Sequence, residues 1–451
     1  MTTPHVEEPA MTGTESRKSR WIRRAAVALA ALLLPGVVSA VNTVGKFGDL
    51  YEARTDSVAV APAPRSHDPD KPTVAFLTSV SGTNVADLLG PYEVLAGTGW
   101  VNVYTVSADA PVVPLTGGLD LVTDLSIDGL GRLLDERGDK LDAVVIPALH
   151  RPTGAEVTAI NAWLRQQSAA GTLIVSVCHG ARTFAGSGLL EGRPATSHWW
   201  RMAALRRDFP GVDWRTGHRY VEDGNVITTA GVLSGVDGGL RIVERLLDPE
   251  AAREAADRVH WRHYTPGAPA PLPESRLEPR DVVVAINSSY QTGPSAIGVQ
   301  LVEGTGELEL AAPFVSYTEE AMVGRTVAVG DGPIRSRHGL TFVPRAADAA
   351  GLDRLIVPGV AAALQRVAGD EAFYLHQKEE FAFDPVLRDI AGTYDVRTAR
   401  WTAKTLEYTA LDFELTGRSW PWTATLVPVL LALLGAACAI VVARFLRRRT
   451  P

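Results

Sequence analysis

Along this chain, short apolar runs alternate with longer stretches whose apolar residues recur at helical spacing. "TVAFLTS" (73–79) has the pattern of a buried strand, and "WVNVYTVS" (100–107), "LDAVVIPA" (141–148) and "TLIVSV" (172–177) read as further strands. Between them, residues 86–97 and "TGAEVTAINAWLRQQSAAG" predict helices, the second capped by Thr153 and ending at Gly171. A further helix follows Cys178. "RYVEDGNVITTAG" predicts a hairpin turning at Asp223-Gly224, and "VLSGVDGGLRIVERLLD" and "PEAAREAADRVHWRHY" predict two more helices. Strands alternating with helices imply a parallel sheet covered on both faces.

After a Pro-rich linker (264–280) the pattern begins again. "VVVAINSS" matches "TVAFLTS", "LVEGTG" (301–306) matches "VLAGTG" (94–99), and "LDRLIVPG" (352–359) matches "LDAVVIPA". Residues 281–415 therefore read as a degenerate second α/β domain. It has no counterpart to "SVCHG", which confines any thiol chemistry to the first domain, 73–263.

Two segments follow neither pattern. Residues 421–443 are uncharged, open with tryptophans and run into a basic tail (444–451), as a transmembrane helix does. Residues 25–43 are apolar behind a basic tail (1–24). They read equally as a signal anchor or as a signal peptide cleaved after "VSA". A linker (44–72) leads to the first domain. Arginines at the outer ends of both segments keep both tails inside the cell, so the expected place is the cell membrane, with the main domains extracytoplasmic.

Composition narrows the function. The net charge of −7 includes two basic tails, so the central part is more acidic still, which argues against nucleic acid as a partner. Two cysteines, one in the apolar C-terminal run, leave no disulfide framework. His260 and His263 stand at helical spacing but lack a third ligand, so they read as a surface pair; neither a metal nor a cofactor is expected.

Cys178 stands in "SVCHGARTFAGSGLL" (176–190), between a strand and a helix. A sharp turn there exposes the side chain at the carboxyl edge of the sheet, where such folds bind ligands. A helix N-terminus favours the thiolate, and turn N–H groups can hold an oxyanion. The alternative is a small buried residue with no chemistry.

"SVCHGARTFAGSGLLEGRPATSHW", "ADLLGPYEVLA" and "FPGVDWRTGHRYVEDGNVITTAGVLSGVDGGLRIVE" resemble, in order over about 73–260, the DJ-1/PfpI superfamily of class I glutamine amidotransferase-like proteins. The subgroup resembled holds isonitrile hydratases and the ligand domains of AraC-type regulators. The resemblance implies a flavodoxin-like parallel sheet with helices on both faces, here in tandem. It places the nucleophile on Cys178 and its acidic partner on Asp87, with His179 and His198 beside the pocket. Glu93 would point away from the thiol. One departure is "IPALHRP": Ala148 and Leu149 stand where the family often has Gly-Gly, and His150 follows. Two functions are implied: a cysteine-dependent hydrolase, hydratase or lyase acting on a small electrophile, or a ligand-sensing module without turnover. In a third reading the two lobes pack as an internal pseudo-dimer without activity.

Overall fold

The computed structural model describes residues 15–47, 50–54, 60–108, 110–268, 271–291 and 293–449. The first 14 residues of the expected basic tail, and the last two of the chain, lie outside them.

A long helix α1 (Glu15–Phe47) precedes the first lobe. That lobe runs β1 (Thr73–Leu77), α2 (Val85–Ala96), β2 (Asn102–Ser107), the hairpin β3 (Val112–Leu115) and β4 (Leu119–Val122), then β5 (Leu125–Ser126) and α3 (Ile127–Arg137). It continues with β6 (Ala143–Ile146), α4 (Gly154–Ala169), β7 (Leu173–Ser176), α5 (Gly180–Gly186), β8 (Pro194–Ala195), α6 (Met202–Asp208) and β9 (Asp213–Trp214). The hairpin β10 (Tyr220–Asp223) and β11 (Val226–Thr229), then α7 (Ser234–Leu246) and α8 (Pro249–Arg258), complete it. The sheet order is β10-β11-β7-β6-β1-β2-β5, parallel except for β10. Its central strands are buried on both faces, as their unbroken apolar runs require. The hairpin turns at Gly224, whose φ of 64° suits glycine.

"VVVAINSS" is not the opening strand of the second lobe. It forms α9 (Pro279–Asn287) and a 3₁₀ turn, because Pro279 at the first helical position and a Glu278–Asp281 capping box start a helix there. The lobe opens instead at β12 (Ala296–Gln300), followed by α10 (Glu307–Val315), a π-helical turn Ser316–Glu320 and β13 (Arg325–Val329). The hairpin β14 (Ile334–Arg335) and β15 (Thr341–Val343) follows, then β16 (Arg354–Val357), α11 (Val360–Gln365), β17 (Phe373–Tyr374), α12 (Asp384–Thr393) and α13 (Val396–Thr405). The parallel order β13-β12-β16-β17 repeats β2-β1-β6-β7.

The register repeats too. Thr73 pairs with Asn102 and Ala296 with Arg325, an identical step along the chain. Val177 N–H donates to the Ile146 carbonyl, and Leu375 N–H to that of Val357. The expected match of "LDAVVIPA" to "LDRLIVPG" holds, since these are β6 and β16. That of "VLAGTG" to "LVEGTG" does not: the first ends α2, and the second is the turn after β12.

The lobes share one apolar core, with α2 packed along α10. Strand β4 pairs antiparallel with β15, so the two hairpins form a single four-stranded sheet across the junction. Asp120 on β4 accepts from Arg345 at 2.7 and 2.9 Å. A final helix α14 (Trp422–Arg449) packs against α1. By length and composition, Arg24–Val44 and Trp422–Phe445 could each cross a membrane.

Candidate functional site

Cys178 stands two residues beyond β7 with φ of 54°, the left-handed region that a side chain avoids unless its surroundings impose it. Val177 N–H is held by the Ile146 carbonyl at 2.9 Å, and Ser197 Oγ donates to the Cys178 carbonyl at 2.7 Å. Gly180 packs so tightly on β6 that a Cβ there would lie 2.0 Å from the Ile146 oxygen. The elbow is pinned from both sides, with the thiol only 7% exposed.

Asp87 lies in the first turn of α2, fully buried against this thiol. The turn is fixed by Asn84, whose side chain caps the Ala86 and Asp87 N–H groups. Asp87 Oδ2 accepts the Ala148 N–H at 3.1 Å. In "IPALH", then, the Ala148 N–H is committed to holding the acid. Burial pushes the Asp87 carboxyl well above its ordinary range, against the pull of the Ala148 N–H and the Cys178 thiol. Burial likewise pushes the Cys178 thiol well up, aided by Asp87, Glu320, Glu407 and Glu319. The expectation of a favoured thiolate is therefore corrected: desolvation and surrounding acids outweigh the end of a two-turn helix.

Three of those acids come from the second lobe, which corrects the confinement of the chemistry to the first. A cavity of about 280 Å³ opens on Cys178, with Glu319, Glu320, Met322, Trp401 and Thr405 forming its far wall. Glu319 accepts from Tyr51 Oη at 3.0 Å and Asn84 Nδ2 at 2.9 Å. Burial raises Glu320 to about 8, with Glu319 adding to it, and raises Glu407 to about 7 against the N–H groups of Gly231 and Trp199. Tyr51, in the segment read as linker, stacks on His150 with ring centroids 4.5 Å apart, so His150 does line the pocket.

His179 and His198 line the same cavity. Burial lowers each to about 4, so both are neutral. His198 Nε2 is bound to the Thr405 carbonyl at 2.8 Å, whereas the buried His179 Nδ1 has no partner among the described residues. Glu93 turns to the second lobe, paired with Arg337 at 3.1 Å. His260 meets Glu379 at 3.5 Å and His263 packs on Trp261.

The second lobe carries a counterpart to the site that sequence reading missed. "TGELELAAPF" (305–314) aligns on "TNVADLLGPY" (83–92), including Pro313 and Pro91 inside their helices. Glu309 thus stands where Asp87 does, and accepts the Val360 N–H after β16 at 3.0 Å. His376, two residues beyond β17, stands where Cys178 does. Its Nδ1 accepts the Gly359 N–H at 3.1 Å and its Nε2 donates to the Ala382 carbonyl at 3.0 Å. Arg337 neutralises Glu309 at 2.8 Å. Among the described residues, Glu309 and His376 are thus both fully engaged, so this counterpart of the site is a structural knot.

The first lobe resembles known proteins. A family model described as DJ-1/PfpI family matches residues 72–245, which stops short of the second lobe. An isonitrile hydratase of Pseudomonas putida is 29% identical over 219 residues, covering 47% of this chain and 80% of the hydratase. The HTH-type transcriptional regulator CdhR of Pseudomonas aeruginosa is 28% identical over 155 residues, covering 34% of this chain and 44% of the regulator. Among solved structures, a ThiJ/PfpI family protein from Pseudomonas syringae is 28% identical with a TM-score of 0.36, covering 46% of this chain and 86% of that one.

Proposed function

We propose that the lobe containing residues 72–245, which match the DJ-1/PfpI family model, binds a small electrophilic molecule and adds the Cys178 thiol to it, with Asp87 as the proton carrier. The observation that carries this reading is the Asp87 carboxyl buried against the thiol at the pinned elbow, with its pKa raised by burial. A protonated acid suits addition across a carbon–heteroatom multiple bond such as that of an isonitrile. Asp87 gives its proton to the substrate, the sulfur bonds to the electrophilic carbon, and the thiol proton passes to Asp87. Water then replaces sulfur at that carbon and the thiol is restored. The test is conversion of an aryl isonitrile to its formamide by the intact protein. Loss of turnover in both Cys178→Ala and Asp87→Asn supports the reading, and turnover that survives either substitution overturns it.

A second reading, ligand sensing without turnover, is favoured by the unactivated thiol and by a transcriptional regulator among the relatives. Tight binding of an electrophile that is never consumed and that leaves Cys178 unmodified would select it.

We also propose that the chain is membrane-anchored by both terminal helices, with the lobes extracytoplasmic and packed as an internal pseudo-dimer. Retention of α1 as an anchor is supported by its contacts. Ser39 and Thr43 bond Ser289 Oγ at 3.0 and 2.9 Å, Asn42 donates to the Ser289 carbonyl at 2.6 Å, and Tyr290 donates to the Pro35 carbonyl at 2.6 Å. Cleavage before Val41 would divide this set. Protease protection of a tag after Pro451 in intact cells tests the sidedness, and digestion of the tag from outside refutes it.

A further inference from the structure

Beside the thiol cavity lies a second one of about 530 Å³, and Leu149, His150, His179 and Arg201 line both. Their chemistry is opposite. The inner cavity holds Glu319 and Glu320, whereas the outer has no acidic residue in its wall and is bordered by Arg151, Arg182 and Arg201. Arg182 is paired with Asp208 at 2.7 Å. Among the described residues, the Arg151 and Arg201 side chains have no hydrogen bond and no ion pair. Both are exposed at the rim, and Arg151 is placed there by a left-handed backbone with φ of 46°. The positive field is felt next door: after burial, Arg201 and Arg182 are what hold down His179, and Arg151 and Arg201 what hold down His150. Val157, Ile160 and Phe209 supply an apolar floor.

We propose that this outer cavity is a docking vestibule for an anionic group, so that the substrate is a small organic electrophile bearing a carboxylate or similar anion at the end away from its reactive carbon. The proposal rests on the reading of Cys178 as the reactive centre and adds the substrate class to it. Two guanidiniums without a hydrogen-bonded or ion-paired partner among the described residues suit a carboxylate, which each can grip through paired N–H groups, although Arg201 also feels Glu319 and Glu320. The apolar floor takes the segment that joins its ends. The shared wall of His150 and His179 leaves the two ends within one molecule's reach.

The test uses the full chain in detergent and follows alkylation of Cys178 by peptide mass spectrometry, which separates it from Cys438. The rate with iodoacetate relative to iodoacetamide, divided by the same ratio for N-acetylcysteine, reads the vestibule independently of intrinsic thiol reactivity. The expected value is at least about threefold at low salt, falling towards one at high salt and in Arg151→Gln/Arg201→Gln. A second readout needs no thiol chemistry: benzoate raises the unfolding midpoint of the wild-type protein, the isosteric benzamide does not, and the double variant loses the difference. A normalised ratio of one or less, with equal midpoints for benzoate and benzamide, overturns the proposal. If Cys178 resists both reagents, the thiol reading fails, and the benzoate comparison still decides the vestibule.

Discussion

Gly180→Ala probes the elbow directly. The added Cβ would lie 2.0 Å from the Ile146 carbonyl oxygen and 2.8 Å from that of Pro147. Neither atom is the end of a flexible side chain, so β6 and the elbow must separate by about an ångström. That movement loosens the Val177 N–H bond to Ile146 and shifts Ala148, whose N–H holds Asp87. Overpacking costs about 1–3 kcal/mol, and the weakened buried hydrogen bond adds about 1 kcal/mol. At about 2–4 °C per kcal/mol for a lobe of this size, the unfolding midpoint should fall by roughly 5–15 °C. Chemistry should suffer more, because an ångström of misplacement between reacting groups can cost about 100-fold. Gly186→Ala, on the same helix with nothing within 4 Å of its Cβ, is the control and should not lower the midpoint. Fluorescence-monitored melting of the detergent-solubilised chain, with peptide-resolved alkylation of Cys178, measures both effects. If Gly180→Ala melts within about 2 °C of the wild type and alkylates at the same rate, the pinned elbow is wrong.

The remaining expectations follow from the same geometry. Burial raises Glu407 from 4.5 to about 7, so the folded state holds this proton more tightly than the unfolded chain does. Its contribution is intact below pH 4.5 and is lost as pH rises through 7, worth about 3 kcal/mol in all. Glu407→Gln should therefore gain stability relative to wild type between pH 5 and pH 8 in denaturant titrations, and parallel behaviour at both would contradict the burial argument. Cys178 alkylation should be slower than that of free cysteine at neutral pH and climb with pH; levelling off below the range of an ordinary thiol would mean that the surrounding acids do not act on it. His376→Ala breaks two buried hydrogen bonds and should destabilise by about 2–3 kcal/mol while leaving Cys178 alkylation unchanged; a changed alkylation rate would show that the second-lobe knot is not independent. The mature protein should keep α1, which intact mass measures, and a new N-terminus at Val41 would refute its retention.

The elements of the first lobe were legible because its strands are apolar on both faces and its turns carry their usual residues. Cys178 and Asp87 were found through resemblance, and the structure brings them together. The thiolate expectation failed because local sequence reports the helix end but not the acids that arrive from residues 319, 320 and 407. The second lobe was misread at its start, where the Val-Val-Val run of 282–284 looks like a strand while Pro279 and the Glu278–Asp281 box set a helix. The signal that would have corrected it is the repeat of Thr, acid, Leu and Pro in "TNVADLLGPY" and "TGELELAAPF". It marks Glu309 and, by counting strands, His376. Tyr51 and Arg201 carry no motif, and only the folded chain brings them to the pocket.

The pairing of β4 with β15 has a consequence for how the protein responds to dilution. A pocket whose far wall came from a separate subunit would dissolve as copies became scarce, and its occupancy would mix ligand affinity with assembly. Here both walls are one polypeptide, so the pocket persists at a single copy per cell. Because the other half is tied off by His376 and Glu309, each chain should saturate at one equivalent, with a simple hyperbolic isotherm at any expression level.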